Sequence, residues 1–183
     1  LVLLPETAWT RPWLATPAPL AARLETFVAR TGIAVAIGMP QVRESAGKRI
    51  VTNSVLLLSP PSPSPSQSYS LLPSPPPLRS PFDGRPAFRQ YDKHHLVPFG
   101  EYVPFKHLLF FVAPLVDAVA EFAPGQQVTM LPIAGHMAST AICYEVVYPH
   151  LIRRGVLAGA ELLTTITNDA WYVRSIGAQQ HNQ

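Results

Sequence analysis

Polar side chains that could do chemistry stand where three apolar runs of the sequence end. Glu6 follows an apolar run at residues 1–4, Cys143 follows Ile142, and Asn168 with Asp169 closes the run at 161–167. Active sites in α/β proteins are usually built at strand ends. A thiol can act as a nucleophile when a neighbouring base takes its proton. Each position also has a structural interpretation: a carboxylate can cap or form an ion pair, and a lone cysteine can be a small core residue.

Two neighbouring patterns favour the chemical interpretation. Glu145 places a carboxylate two residues beyond Cys143, where a core strand would not favour one. The segment 91–105 (YDKHHLVPFGEYVPF) is dense in ionisable and aromatic side chains and contains glycine and proline that restrain the chain. A solvated charged turn is the alternative for this segment.

The elements that position these residues alternate between strand and helix. Leu20, Leu24, Phe27 and Val28 recur at helical spacing, so we predict a helix over 17–31 that ends at Gly32. Apolar runs predict strands at 1–6, 33–38, 53–58, 128–133, 138–143 and 161–167, and a second helix is expected at 146–157. Strands that are apolar throughout indicate a sheet covered on both faces. The fold class is therefore α/β and layered.

Two segments interrupt this pattern. Residues 59–86 contain a low-complexity Pro/Ser tract without hydrophobic periodicity, which predicts an exposed loop inserted between two strands. Residues 105–119 are strongly apolar but shorter than the roughly 18–20 residues that cross a bilayer. We interpret this second segment as an apolar flap over the site, with a core helix as the alternative.

Composition excludes several classes of function. Hydrophobic residues make up 48% of the 183 residues and charged residues only 14%, which favours a partner that covers apolar surface, such as a membrane or the rest of a larger chain. The net charge of +3, without basic runs, argues against nucleic acid as a partner. No cofactor fingerprint or serine-hydrolase elbow is present. His94 and His95 are adjacent and point in different directions, so we expect no catalytic metal.

Four segments occur in an order that resembles the nitrilase superfamily of carbon-nitrogen hydrolases. They are 4–8 (LPETA), 91–104 (YDKHHLVPFGEYVP), 142–145 (ICYE) and 167–172 (TNDAWY). Together with 175–181 (SIGAQQH), they are most similar to the bacterial apolipoprotein N-acyltransferases within that superfamily. The resemblance implies an α-β-β-α sandwich. We expect residues 1–183 to be part of one catalytic domain, incomplete at both ends and without the transmembrane segments of the full protein.

The resemblance also implies a catalytic set of Glu6, Lys93 and Cys143, with Glu101, Tyr144 and Glu145 in support. In the implied reaction an acyl chain moves from a phospholipid to a cysteine thioester. It then moves to the N-terminal amine of an S-diacylglyceryl-cysteine apolipoprotein, by ping-pong kinetics and without a cofactor. The implied location is the bacterial inner membrane, with this domain facing the periplasm.

Two alternatives remain open at this point. A soluble amidase would use the same three residues on a small amide, and a degenerate member would act only as a membrane-associated binding module. One departure bears on the latter: relatives usually carry glycine where this chain has Val173, and a β-branched residue tolerates a positive φ poorly.

Overall fold

The computed structural model describes residues 1–45, 47–60, 87–104 and 121–169. Within these ranges, two sheets and two α-helices account for the regular structure. The strands are β1 (Val2–Leu3), β2 (Val35–Ser45), β3 (Lys48–Ser59), β4 (Ala87–Asp92), β5 (Leu131–Ile133), β6 (His136–Ile142) and β7 (Leu162–Ile166). The helices are α1 (Ala18–Thr31) and α2 (Pro149–Leu157), with short 3-10 helices at Trp13–Ala15 and Cys143–Val147.

The first sheet has the strand order β1-β2-β3-β4, in which β1 runs parallel to β2 and the other pairs are antiparallel. Its side chains alternate between two apolar clusters because successive residues of a strand point to opposite faces. On β3, Val55 and Leu57 join one cluster, whereas Leu56 and Leu58 join the other. Both faces are therefore buried along residues 55–58, which explains why this part of the strand is an unbroken apolar run.

The second sheet, with the order β5-β6-β7, packs face to face with the first. Leu131, Ala138 and Ile142 share one core cluster with Val55 and Leu57 of the first sheet. Helix α1 covers the opposite face of the first sheet through Leu24 and Val28. Helix α2 covers the second sheet.

The contact between α2 and the second sheet depends on Gly155. A Cβ atom at this position would lie 2.1 Å from the Ser139 hydroxyl oxygen of β6. The order of layers is α-β-β-α, and the predicted sandwich is confirmed. Within the described ranges, neither helix has the length and apolar character that crossing a membrane requires.

Most predicted elements are found, with shifted ends. Helix α1 begins one residue later than predicted and ends as expected, since Gly32 adopts a left-handed φ of 68°. Strand β4 was not predicted, because the alternating polar sequence AFRQYD reads as part of the polar loop that follows it. The second helix begins at Pro149, because residues 143–147 form a tighter 3-10 turn.

The ends of β3 and β4 frame the Pro/Ser insertion. Ser59 pairs with Ala87, so the connection leaves and re-enters one end of an intact strand pair. Residues 61–86 themselves lie outside the described residues, and so do residues 105–120 with the predicted apolar flap.

Strand directions bring the polar ends together. Strands β1 and β4 run the same way, so their carboxyl ends reach the same edge of the first sheet. Strands β6 and β7 likewise end together in the second sheet. Glu6, Lys93, Cys143 and Thr167 follow these four strands within three residues or fewer.

Gly38 on β2 makes room for the backbone that carries Glu6. A Cβ atom at Gly38 would lie 2.3 Å from the Pro5 carbonyl oxygen and 2.6 Å from the Glu6 Cα. We expect Gly38→Ala to displace Glu6, lower activity and destabilise the fold by about 1–3 kcal/mol, the usual cost of overpacking. Thermal melting and kinetics of the variant check this.

Gly100→Ala is the matched control, because its Cβ would meet nothing closer than 3.6 Å. Equal behaviour of the two alanine variants would contradict the role given to Gly38.

Candidate active site

A buried ion cluster joins the ends of β1 and β4. The Lys93 ammonium lies 3.0 Å from Glu101 Oε1 and 3.4 Å from Glu6 Oε1. Lys93 is 1% exposed, and both carboxylates are also buried. Burial lowers the pKa of Lys93, but Glu6 and Glu101 raise it by more, so its pKa lies above the ordinary value. Lys93 therefore stays an ammonium at neutral pH.

Asn53 completes this cluster and was missed by the sequence analysis. Its side-chain Nδ2 donates to Glu6 Oε1 at 2.7 Å and to Glu101 Oε1 at 2.6 Å. The backbone N–H of Lys93 also donates to the Asn53 carbonyl at 2.8 Å. Its signal in the sequence was weak, since Asn53 lies between Thr52 and Ser54 at the start of the apolar run. One amide thus holds two like-charged carboxylates in place around one ammonium.

The loop after Lys93 folds back so that Glu101 reaches the ammonium. The backbone N–H of Glu101 donates to the Val97 carbonyl, and the Val97 N–H donates to Glu101 Oε2 at 2.8 Å. At the other end, Gly125 donates to the Lys93 carbonyl at 2.7 Å. The lysine backbone is therefore fixed on both sides.

Cys143 lies at a sharp turn between β6 and the following 3-10 helix. Its φ is +56°, in the left-handed region that non-glycine residues rarely occupy. The sequence had placed Cys143 as the last residue of the strand; the structure ends the strand at Ile142. Such strain is typical of functional sites, where the surrounding structure fixes it. The thiol is partly buried and packs against the core cluster shared by the two sheets.

The charges of Glu6 and Lys93 both act on the Cys143 thiol, in opposite directions. Burial raises the pKa of Cys143 and the Glu6 carboxylate raises it further, while Lys93, the Thr167 hydroxyl and the Tyr144 backbone N–H lower it. The net pKa lies above the ordinary value. The Lys93 ammonium favours the thiolate, but burial and the Glu6 carboxylate outweigh its effect on the pKa of Cys143. The resting sulfur is a neutral thiol that needs a base.

This balance predicts how the pH dependence of thiol alkylation responds to mutation. Glu6→Gln removes a charge that raises the pKa of Cys143, so the alkylation midpoint should shift to lower pH. Lys93→Met removes a charge that lowers it, so the midpoint should shift to higher pH. Mass spectrometry of the Cys143 peptide after timed iodoacetamide exposure measures both midpoints. Shifts in the same direction would contradict the arrangement.

Glu145 connects the loop after Lys93 to the turn at Cys143 through hydrogen bonds. Its Oε1 accepts the backbone N–H groups of His94 at 2.6 Å and His95 at 3.1 Å. Its Oε2 accepts the Tyr91 hydroxyl at 2.9 Å and the Ile142 N–H at 2.8 Å. Glu145 is fully buried, and burial with the Glu145 charge raises the pKa of Tyr91, which keeps its hydroxyl a donor.

Glu145→Gln should loosen this junction. A glutamine amide turns a donor toward groups that already donate, so buried N–H groups lose their acceptor at about 1–3 kcal/mol each. We expect a lower thermal midpoint and reduced reactivity of Cys143. Glu44→Gln, at an exposed position, is the control for the same chemical change. An unchanged midpoint in Glu145→Gln would contradict the role of this carboxylate as a clamp.

The predicted residues thus occupy one region of the fold. Lys93 contacts both Glu6 and Glu101. The charges of Glu6 and Lys93 and the Tyr144 backbone N–H all act on the pKa of the Cys143 thiol. Trp171, Tyr172 and Val173 lie outside the described residues. No group of three metal-ligating side chains occurs within the described ranges.

A family model for carbon-nitrogen hydrolases matches residues 1–183. The chain belongs to the carbon-nitrogen hydrolase family. Among curated members, it is similar to proteins named apolipoprotein N-acyltransferase from Geobacter metallireducens (48% identity over 90 residues) and Shewanella oneidensis (44% over 94 residues). These matches cover 49% and 50% of this chain but only 17% and 18% of the relatives' own length.

Solved carbon-nitrogen hydrolases show a distant likeness. A cysteine-to-serine mutant of the Nesterenkonia AN1 amidase is 20% identical with a TM-score of 0.48, over 91% of this chain and 52% of that one. A carbon-nitrogen hydrolase from Helicobacter pylori G27 is 18% identical with a TM-score of 0.44, over 80% and 36% of the two chains. The layer order given above rests on the contacts of this chain itself.

Proposed function

We propose that this chain is the catalytic part of an N-acyltransferase with Cys143 as its nucleophile. The acyl chain would come from a phospholipid and pass to the N-terminal amine of an S-diacylglyceryl-cysteine apolipoprotein. The names of the curated relatives support this choice of reaction.

The observation that carries the chemistry is the free oxygen of Glu6. Its Oε1 is engaged by Asn53 and Lys93, whereas Oε2 is buried and has no hydrogen-bond partner among the described residues. A buried carboxylate oxygen without a hydrogen-bond partner costs free energy, and a catalytic role is one explanation for such a group in a native structure. Because the charge of Glu6 also acts on the Cys143 thiol, we assign Glu6 as the general base.

In the first half-reaction, Glu6 takes the thiol proton as the Cys143 sulfur attacks an ester carbonyl of the phospholipid. The C–O bond then breaks, and the departing lysophospholipid oxygen takes the proton from Glu6. A thioester remains on Cys143. A base is needed because the pKa of the thiol is raised.

In the second half-reaction, the amine of the acceptor attacks the thioester carbonyl, and Glu6 accepts a proton from the amine. The C–S bond breaks, an amide is formed, and the sulfur recovers a proton from Glu6. The two substrates therefore bind in turn, which gives ping-pong kinetics.

Lys93 and the Tyr144 N–H would stabilise the oxyanion of both tetrahedral intermediates. The Lys93 ammonium remains charged and is fixed by Glu101, so it need not reorganise during the reaction. Glu101 and Glu145 act as positioning residues: the first holds the ammonium, and the second holds the loop and the turn together.

A transfer assay tests this function. The full-length protein is incubated with phospholipid carrying a labelled acyl chain, first alone and then with a synthetic diacylglyceryl-cysteine peptide. We expect release of lysophospholipid, followed by label on the peptide amine. Labelled fatty acid in place of labelled peptide would favour a hydrolase. Turnover of small amides without phospholipid turnover would favour the amidase, and no turnover would favour a binding module.

The proposed substrates also suggest the location of the protein. A phospholipid donor and a lipid-modified acceptor are both held in a membrane. We propose the bacterial inner membrane, with this domain on the periplasmic side. Residues 1–183 would form one part of the catalytic domain.

A further inference from the structure

Two histidines that are 55 residues apart in the chain converge beside the Cys143 turn. His95 lies two residues after Lys93, and His150 lies in the first turn of α2. Their Nε2 atoms are 3.3 Å apart and form a hydrogen bond, in which one ring donates and the other accepts. The ring centroids are 5.1 Å apart. His95 also stacks on Tyr148, with centroids 4.1 Å apart, so its ring orientation is fixed.

This separation matches the distance between two nitrogens bound to one metal ion. Zn–N bonds of about 2.0–2.1 Å at a tetrahedral angle place two imidazole nitrogens about 3.3–3.4 Å apart. The ring centroids are farther apart than the Nε2 atoms, so the two Nε2 atoms lie on the facing sides of the rings.

Apart from the hydrogen bond between them, these two nitrogens have no partner among the described residues, and a bound cation would replace the proton that they share. Nδ1 of His95 is buried without a hydrogen-bond partner among the described residues, so Nε2 makes the polar contact of this ring. His150 is exposed, which gives an ion a path from solvent. The neighbouring His94 ring is turned elsewhere, with its Nε2 3.0 Å from the Gln127 carbonyl.

We propose that His95 and His150 form a binding site for a divalent transition-metal cation of the kind that imidazole prefers, namely Ni²⁺, Cu²⁺ or Zn²⁺. Water fills the remaining coordination positions. The site is separate from the catalytic cluster, and it does not depend on the proposed acyl transfer. No described carboxylate or cysteine joins the pair as a third ligand, so the affinity should be micromolar.

The position of the site gives the metal a mechanical effect. The backbone N–H of His95 is bound to Glu145 within the Lys93 loop, whereas His150 begins the helix that follows the Cys143 turn. A bound cation would tie these two segments together. Since the ion binds the folded state, the thermal midpoint should rise with metal concentration.

Isothermal titration with Ni²⁺ tests the proposal. The full-length protein carries Cys143→Ser, to remove the competing thiol, and is purified through a tag without histidine. We expect one Ni²⁺ per chain with a micromolar Kd. His95→Ala and His150→Ala should each weaken binding at least tenfold and abolish the Ni²⁺-dependent rise in thermal midpoint.

His136→Ala is the matched control and should bind Ni²⁺ as the parent does, because His136 is exposed and faces Glu161 on a different hairpin. Two results would overturn the proposal: no Ni²⁺ binding by the parent, or unchanged affinity in His150→Ala. His150 is at the surface, so its alanine variant keeps the test valid even where His95→Ala folds poorly.

Discussion

Lys93→Met should lower the rate of the proposed acyl transfer about 10²–10³-fold and reduce the free energy of unfolding by about 3–5 kcal/mol. The rate falls because one oxyanion donor is lost. The stability falls because Glu6 and Glu101 remain buried, with the Asn53 amide still bridging them but no ammonium to balance their charge. Methionine is similar in length to lysine, so cavity formation contributes little.

Pre-steady-state kinetics and thermal melting measure these two effects separately. Lys48→Met makes the same chemical change at an exposed position and should alter neither. A Lys93→Met protein with the same thermal midpoint as the wild type would contradict the stabilising role of the buried ion cluster. One that melts early but keeps its rate per folded molecule would contradict the role in catalysis.

Cys143→Ser should reduce turnover by about four orders of magnitude or more, because the hydroxyl is a far weaker nucleophile and no thioester can form. The oxygen is smaller than sulfur, so the fold should change little and the thermal midpoint should stay near that of the wild type. Single-turnover assays with labelled phospholipid measure the loss.

Cys143→Ala serves as the reference for complete loss of the nucleophile. Serine and alanine variants should be nearly equal in rate. A serine variant that retains more than a few per cent of wild-type turnover would remove the thiol from the mechanism.

Much of the fold could be predicted because buried positions carry apolar residues at a regular spacing in the sequence. Strand β3 is apolar on both faces, and α1 carries its apolar residues at helical spacing before Gly32. Strand β4 has no such pattern. Tyr91 packs between the two sheets and Phe88 packs on the side of α1, but the polar residues around them make the segment resemble a loop. Periodicity therefore identified the layers but not every strand.

The site was predicted through a resemblance, and its supporting contacts were not. Asn53 bridges two carboxylates that lie 47 and 48 residues from it, and Glu145 binds loop amides about 50 residues away. No local pattern encodes such distances. The positive φ of Cys143 could not be predicted either, because glycine is the residue whose presence in a sequence indicates that conformation. Tertiary packing, not local preference, sets all three.

The net direction of the Cys143 pKa bears on how the nucleophile is activated. A lysine beside a thiol suggests a resting thiolate, but burial and Glu6 leave the sulfur protonated. In the mechanism that we propose, proton transfer to Glu6 is therefore coupled to attack on the substrate. This coupling restrains the sulfur from reacting before a substrate carbonyl is in place.

Mass spectrometry after a short incubation of the full-length protein with phospholipid tests whether Cys143 is the acyl-carrying nucleophile. We expect the Cys143 peptide to gain the mass of one acyl chain, hydroxylamine to remove this adduct, and Glu6→Gln to slow its formation. A peptide that stays unmodified while lysophospholipid accumulates, or an acyl group on another residue, would contradict catalysis through Cys143.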